Sequence, residues 1–154
     1  MGQTEKRLEQ LNITLPAKDR RGKGAVPARQ VNDMVYLSAQ LPVDEKGVPL
    51  FTGRIGAELT LEEGYAAARQ CAVQALSTLA DFIGDLDRVD CVVKVLGLVS
   101  STEDFSSQPA VINGFSDLMV EVFGERGTHA RSAMGAFVLP QNVPVAVDCI
   151  IKLR

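Results

Sequence analysis

The most constraining feature of this sequence is the segment Val89–Ser100, VDCVVKVLGLVS, which is apolar at nearly every position apart from Lys94. A strand with one solvent-exposed face alternates apolar and polar residues. An almost unbroken apolar run is instead typical of a strand that is covered on both faces. The fold must therefore place a layer of structure on each side of this strand.

Two predicted helices flank the strand and supply one of those layers. Thr60 and Glu63 form a capping box, and Gly84 is a stop signal. Between them, apolar residues recur at helical spacing: Leu61, Tyr65, Ala68, Ala72, Leu76, Leu79 and Ile83. A second helix is predicted over Pro109–Phe123, although Asn113 and Gly114 weaken its first turn.

The remaining elements are short. A helix is predicted over Thr4–Asn12 and a loop over Pro16–Pro27. Strands are predicted for ARQV and MVYLSAQL around an Asn32–Asp33 turn, for VPLF after the turn Asp44–Gly47, for RSAMGAFVL from Arg131, and for Val145–Leu153. The last strand alternates cleanly between two faces.

This order, ββ(β)αβαββ, predicts an α+β domain in which two helices cover one face of a mixed sheet. Two helices leave the second face of Val89–Ser100 without a covering layer. We therefore expect another copy of the chain to pack there, and we predict an oligomer.

Composition excludes several classes of function. The chain has 154 residues, 46% of them hydrophobic and 23% charged, which suits one domain with a substantial core. A formal charge of −3 with no run of Lys or Arg disfavours a nucleic-acid partner. No signal peptide or membrane-spanning segment is visible, so the sequence predicts a cytoplasmic protein without a membrane partner.

Metal and cofactor chemistry is poorly supplied. His129 is the only histidine, and GRIGAE and GKGAV lack the spacing of a phosphate-binding loop. The three cysteines, Cys71, Cys91 and Cys149, sit singly among apolar neighbours, as buried reduced thiols do. We expect no metal and no cofactor.

Arg131 and Asp148 are the two charged residues that invite a functional interpretation. Arg131 heads an otherwise small and apolar strand row, and its guanidinium suits a ligand carboxylate. The alternative is a strand-end arginine that reaches water or pairs with Glu121 or Glu125. Asp148 has a similar alternative, which is pairing with Lys152 on an outer face.

Three separated motifs, MVYLSAQLPVD, EVFGERGTHARSAMGAFVLP and VPVAVDCIIKL, resemble the Rid superfamily, also called YjgF-like and historically labelled endoribonuclease L-PSP. The similarity runs from about Ala28 to Leu153 and looks closest to a less characterised branch. It implies one Rid-like domain over 1–154 with an amino-terminal extension over 1–24. It also implies a chorismate-mutase-like fold and a homotrimer with a ligand cleft at each subunit interface.

The resemblance implies roles for particular residues. In active members the arginine matching Arg131 binds a ligand carboxylate, and groups near Ser38, Ala39 and Ala133 line the same cleft. Those members hydrolyse enamines or imines derived from amino acids to 2-oxo acids and ammonia. Their water-positioning glutamate falls on Ala146 here, and a methyl group cannot polarise water.

The sequence leaves two functions open. One is a 2-imino or 2-enamino acid deaminase, for which Asp148 is the candidate catalytic residue in place of the missing glutamate. The other is a non-catalytic module that binds or senses a small carboxylate metabolite. Ribonuclease activity is disfavoured, because one histidine and a negative net charge supply neither the acid/base pair nor the phosphate contacts.

Overall fold

The computed structural model describes residues 1–17 and 24–154. Its helices are α1 (Gln3–Gln10), α2 (Leu61–Ile83) and α3 (Gln108–Phe123). Its strands are β1 (Ala28–Val31), β2 (Met34–Gln40), β3 (Val89–Ser100), β4 (Ala130–Ala136) and β5 (Val145–Leu153). The ends of the predicted Pro16–Pro27 loop are described, whereas its middle, residues 18–23, lies outside the described residues.

The five strands form one mixed sheet in the order β1-β2-β5-β3-β4. Neighbouring strands are antiparallel except β3 and β4, which are parallel and joined through α3. The predicted α+β class, with two long helices against one face of a mixed sheet, is confirmed. The tight turn between β1 and β2 places Asn32 at a φ of 53°, a conformation that asparagine tolerates.

Local signals place α2 where the sequence predicts it. The Thr60 side chain accepts a hydrogen bond from the Glu63 N–H, and the Glu63 carboxylate accepts one from the Thr60 N–H. Gly84 ends the helix with a φ of 82°. These contacts satisfy donors at the first turn, so the helix begins at a defined residue.

The two long helices pack closely on each other. A Cβ at Gly114 of α3 would lie 2.0 Å from the Tyr65 carbonyl oxygen of α2. Only a residue without a side chain fits this position, which explains a glycine inside a helix that it would otherwise weaken. Both helices pack on the same sheet face, where the core residues include Val95, Val99, Phe115, Leu118, Val147, Cys149 and Ile151.

The segment VPLF does not form the predicted third strand, and only an isolated bridge joins Val43 to Pro49. The Asp44 carboxylate accepts hydrogen bonds from the N–H groups of Lys46 and Val48 at 2.8 and 2.9 Å. Pro49 has no N–H to donate. This side-chain turn therefore replaces a strand ladder.

The second face of the sheet carries no layer from the described part of the chain over most of its area. Strand register places Tyr36, Lys94, Leu96, Asp148 and Ile150 on this face, which we call the open face. Tyr36 is 45% exposed, and the other four are half-buried. The prediction that this face is apolar in β3 agrees with Leu96 and Leu98, both of which point to it.

The predicted helix near the amino terminus is present as α1 and packs on the rest of the fold. The Asp87 carboxylate accepts hydrogen bonds from the N–H groups of Gln3 and Thr4 at 2.7 and 2.8 Å. Leu8 is buried, and the Arg7 side chain donates to a carbonyl oxygen of α3. A carboxylate at a helix N-terminus is favourably placed, so Asp87 anchors α1.

Candidate functional site

Arg131 lies near the start of β4, the edge strand that follows α3. It pairs with Val95 of β3, which pairs in turn with Cys149 of β5, so Arg131 points to the helix-covered face. Its Nη1 donates to the Asn113 side-chain oxygen at 2.8 Å and to Ser116 Oγ at 3.1 Å. One turn of α3 therefore orients the guanidinium.

The charge of Arg131 is not neutralised by a carboxylate in the described part of the chain. Glu121, one of the two acids proposed as an alternative partner, instead forms an ion pair with Arg69 at 2.8 Å. Glu125, the other, forms no ion pair with Arg131. Neutral oxygens fix the orientation of the guanidinium while leaving its positive charge available to an anion.

His129 belongs to the same group of side chains. Its Nδ1 lies 2.7 Å from the carbonyl oxygen of Gly127, which only accepts, so Nδ1 carries the proton. Its Nε2 lies 2.9 Å from Ser116 Oγ. Burial is the main cause that holds the pKa of His129 below its usual value. The hydrogen bond with Gly127 opposes it, and the Arg131 charge adds a smaller lowering effect.

Because His129 is neutral near pH 7, its Nε2 accepts the Ser116 hydroxyl proton. Ser116 Oγ then has lone pairs that receive the Arg131 N–H. The four side chains form one chain of hydrogen bonds from His129 through Ser116 and Arg131 to Asn113, which we call the Arg131 cluster.

Three members of the Arg131 cluster, Ser116, His129 and Arg131, line a surface pocket of about 460 Å³ between α3 and the start of β4. Its walls are Ser116, Val120, Thr128, His129 and Arg131. The pocket is open to solvent, so a small molecule held there keeps one side exposed. Another pocket, of about 480 Å³, lies between β1 and α2 and contains none of the candidate residues.

Asp148 lies on the other side of the sheet from Arg131. It pairs with Leu96, which pairs with Ser132, so these three residues share the open face. Within one chain, Asp148 and Arg131 therefore do not meet one ligand. Burial raises the pKa of Asp148, and its carboxylate has no hydrogen-bond or ion-pair partner among the described residues. Lys152, proposed as its alternative partner, contacts Asp90 at 2.9 Å instead.

Ala146 shares the open face with Asp148, because it pairs with Leu98. Its side chain is only 4% exposed and packs in a small apolar cluster with Leu139 and Val143. Leu41, Leu98 and Ala136 pack against the same cluster. The position where the resemblance implies a water-positioning glutamate in deaminases is therefore covered by the chain's own 139–143 segment.

Ser38 and Ala39 lie on β2, and β5 and β3 separate that strand from β4. Both residues are exposed, and the Ser38 hydroxyl donates to the Val26 carbonyl oxygen at 2.6 Å. Ala133 follows Arg131 by two residues on β4 and packs on the core of the helix-covered face. One chain thus brings Ala133 near Arg131 but not Ser38 or Ala39.

Other chemistry-bearing groups do not add a site. Cys71 and Cys149 are buried free thiols, and burial raises the pKa of Cys149 to about 12. Among the described residues, no three His, Cys, Asp or Glu side chains are grouped to hold a metal ion. No described helix is long and apolar enough to cross a membrane.

The sequence alone does not mark Ser116 and Asn113 as site residues. They lie three positions apart on α3, so they share a helix face, and both are polar in a mostly apolar segment. That spacing is the available signal. It points to a site only once β4 is known to lie beside α3.

Comparison with known proteins gives a family. Residues 5–153 match the family model described as YjgF/chorismate-mutase-like, a description that also carries the label endoribonuclease. Protein TCP17 of Trypanosoma cruzi is 42% identical over 154 residues, covering 99% of this chain and 96% of that protein.

Two crystal structures are similar throughout. The protein Atu1372 of Agrobacterium tumefaciens is 37% identical with a TM-score of 0.89, covering 98% of this chain and 94% of that one. A Shewanella oneidensis protein described as an endoribonuclease is 30% identical with a TM-score of 0.92, covering 99% and 100%. The sequence match, the shared fold and the order of elements agree, and the chain belongs to the YjgF/chorismate-mutase-like family of the Rid superfamily.

Proposed function

We propose that the protein binds a small carboxylate metabolite of the 2-oxo or 2-imino acid type through Arg131. Family membership supports a small-molecule-binding protein. Carboxylate binding in particular is supported by the guanidinium of Arg131, which two neutral oxygens orient at the wall of a pocket of about 460 Å³. A bidentate carboxylate complements such a group in shape and in charge.

Binding at Arg131 is tested by thermal unfolding with matched ligands. Pyruvate, 2-oxobutanoate and benzoate are compared with their uncharged amides. A ligand at 100 times its dissociation constant stabilises the folded state by about 2.7 kcal/mol. For a chain of this size that corresponds to a rise in Tm of roughly 5–10 °C. The rise is expected with at least one carboxylate and not with the amides.

The Arg131→Ala variant should lose that rise, whereas Arg29→Ala should keep it. Arg29 is a matched control because it is an exposed arginine on β1, the opposite edge strand of the sheet. A carboxylate-dependent rise that persists in Arg131→Ala contradicts the proposal, as does the absence of a rise with every carboxylate.

Two functions of such a site are compatible with the pocket. In the first, the protein hydrolyses 2-imino acids, and orientation of the bound imine accelerates a reaction that also occurs in water. In the second, it binds or senses the metabolite without chemistry. The buried methyl of Ala146, where the family's deaminases hold a glutamate, favours the second unless the pocket has another proton acceptor.

We also propose that three copies assemble through the open face. Leu96, Leu98 and Ile150 are partly exposed on this face. Asp148 is half-buried there without a partner in the described part of the chain. A second copy would cover the apolar residues. Light scattering should give about three times the chain mass of 16.6 kDa, and a monomer at micromolar concentration would refute assembly.

A further inference from the structure

The pocket holds a proton acceptor that does not depend on Ala146 or Asp148. Ser116 lies between His129 Nε2 at 2.9 Å and Arg131 Nη1 at 3.1 Å. A hydroxyl in this position donates its proton to the imidazole while the adjacent positive charge makes that hydroxyl more acidic. The arrangement resembles an activated serine more than a structural one.

The Gly127 carbonyl oxygen fixes the tautomer that this arrangement needs. It accepts from His129 Nδ1 at 2.7 Å and so keeps the lone pair of Nε2 directed to Ser116. In hydrolytic sites a third group of this kind orients the histidine that serves as base. Here a backbone oxygen provides the orientation.

The charged groups around His129 favour its neutral form. Arg131 is the charged group that acts on it from β4. The neighbouring acids of α3 are engaged elsewhere, because Asp117 accepts from the Tyr65 hydroxyl and Glu121 pairs with Arg69. In the adjoining turn, Arg126 donates to the Val89 carbonyl oxygen. A neutral imidazole beside a guanidinium is a competent base near pH 7.

We propose that Ser116 and His129 form a proton relay that hydrolyses the C=N bond of a 2-imino acid held at Arg131, replacing the glutamate whose position is Ala146. This inference rests on the proposed carboxylate binding at Arg131. Arg131 binds the substrate carboxylate and places the imine carbon over Ser116, in the pocket that Arg131, Ser116 and His129 line together.

The reaction balances without a cofactor. Water attacks the imine carbon, a C–O bond forms, and the π electrons move to nitrogen. The water proton passes to Ser116 Oγ as the Ser116 proton passes to His129 Nε2. The relay returns this proton to the nitrogen, which gives a neutral carbinolamine. The hydroxyl proton of that intermediate then passes through the same relay to the nitrogen, the C–N bond breaks, and ammonia leaves as the C=O bond of the 2-oxo acid forms.

The experiment separates binding from chemistry. Wild type, Ser116→Ala, His129→Gln and Arg131→Ala are assayed for ammonia release from 2-iminopropanoate generated in the cuvette, each relative to buffer. Pyruvate binding by the same proteins is measured by calorimetry. Ser106→Ala is the matched control, because Ser106 is an exposed serine in the loop before α3.

We expect Ser116→Ala and His129→Gln to lose roughly 10²-fold in rate, within the range for general base catalysis. Both variants should still bind pyruvate, because Asn113 still orients Arg131. The wild-type rate relative to buffer should fall as His129 becomes protonated, at a pH below the usual histidine range because burial lowers its pKa, and this fall should vanish in His129→Gln.

Either of two results overturns the relay while leaving carboxylate binding intact. One is a wild-type rate in Ser116→Ala, which would place the base on a partner subunit or elsewhere. The other is a wild-type protein that binds pyruvate but releases ammonia no faster than buffer, which would make it a binding module. Unchanged pyruvate binding in Arg131→Ala contradicts the proposed function itself.

Discussion

Replacing Ala146 by glutamate tests where this position lies. The resemblance implies a glutamate there in the family's deaminases, and a position that opens into a ligand cleft would accept Glu without strain. In the structure the Ala146 methyl is 4% exposed and packs on Leu139 and Val143. A carboxyl group buried among such residues stays neutral, because desolvation penalises its charged form.

The cost follows from the pKa of the new carboxyl. In the unfolded chain it is about 4.3, and in a buried apolar site it rises to roughly 8–9. Keeping the carboxyl neutral then lowers the free energy of unfolding by about 4 kcal/mol at pH 7 and by about 1 kcal/mol at pH 5. Because the pKa of this carboxyl is higher in the folded state than in the unfolded chain, the folded state loses stability as the pH rises above the unfolded-state pKa. The variant should therefore regain stability as the pH falls.

Urea unfolding at a fixed protein concentration measures this cost. Ala146→Gln is the matched control, because it adds nearly the same volume without a titrating group, and its overpacking cost of about 1–3 kcal/mol is independent of pH. The Glu variant should be less stable than the Gln variant at pH 7, by an amount that shrinks by about 3 kcal/mol at pH 5. Equal stabilities of the two variants at pH 7 would mean that residue 146 reaches water and that the burial argument fails.

Three further results are expected. Gly114→Ala should destabilise the protein by about 1–3 kcal/mol in urea unfolding, because the new Cβ would lie 2.0 Å from the Tyr65 carbonyl oxygen; unchanged or higher stability would contradict the close helix contact. Contacts with α1, chiefly the Thr4 hydroxyl, lower the pKa of Asp87. The ionised carboxylate therefore stabilises α1 above the usual carboxyl range, and the α1 amides should be protected from hydrogen exchange there. This protection should disappear as the pH falls through the lowered pKa. In Asp87→Asn this protection should be weak at every pH, and full protection would refute the anchoring role. Asp148→Asn should leave pyruvate binding unchanged in calorimetry, and lost binding would mean that a partner subunit brings Asp148 to the ligand.

The parts of the fold that follow from local patterns were predictable. The capping box of Thr60 and Glu63 marks the start of α2, and the alternation in β5 separates its two faces. The segment VPLF was wrong as a strand because its neighbour Asp44 satisfies the N–H groups of Lys46 and Val48. A short apolar run does not reveal such competition, since strand patterns do not record side-chain turns.

The candidate site divides in the same way. The sequence singled out Arg131 from its contrast with the small residues around it, and the family resemblance assigned it a carboxylate. The sequence also made Asp148 a candidate for the same ligand, although the strand register places Asp148 and Arg131 on opposite faces of the sheet. Neither the period-two pattern of β4 nor that of β5 states how the two strands align through β3.

By itself the sequence determined the fold class, the family, and the residue types available for chemistry, because helix caps, strand periods and ordered motifs are local properties of the chain. The tertiary structure decided which of those residues meet. Ser116 and His129 lie 13 positions apart and join Arg131 only because α3 crosses back to place β4 beside β3. Hydrogen-bond geometry is short-ranged, so a proton path can be identified only where folding brings its atoms within about 3 Å of each other.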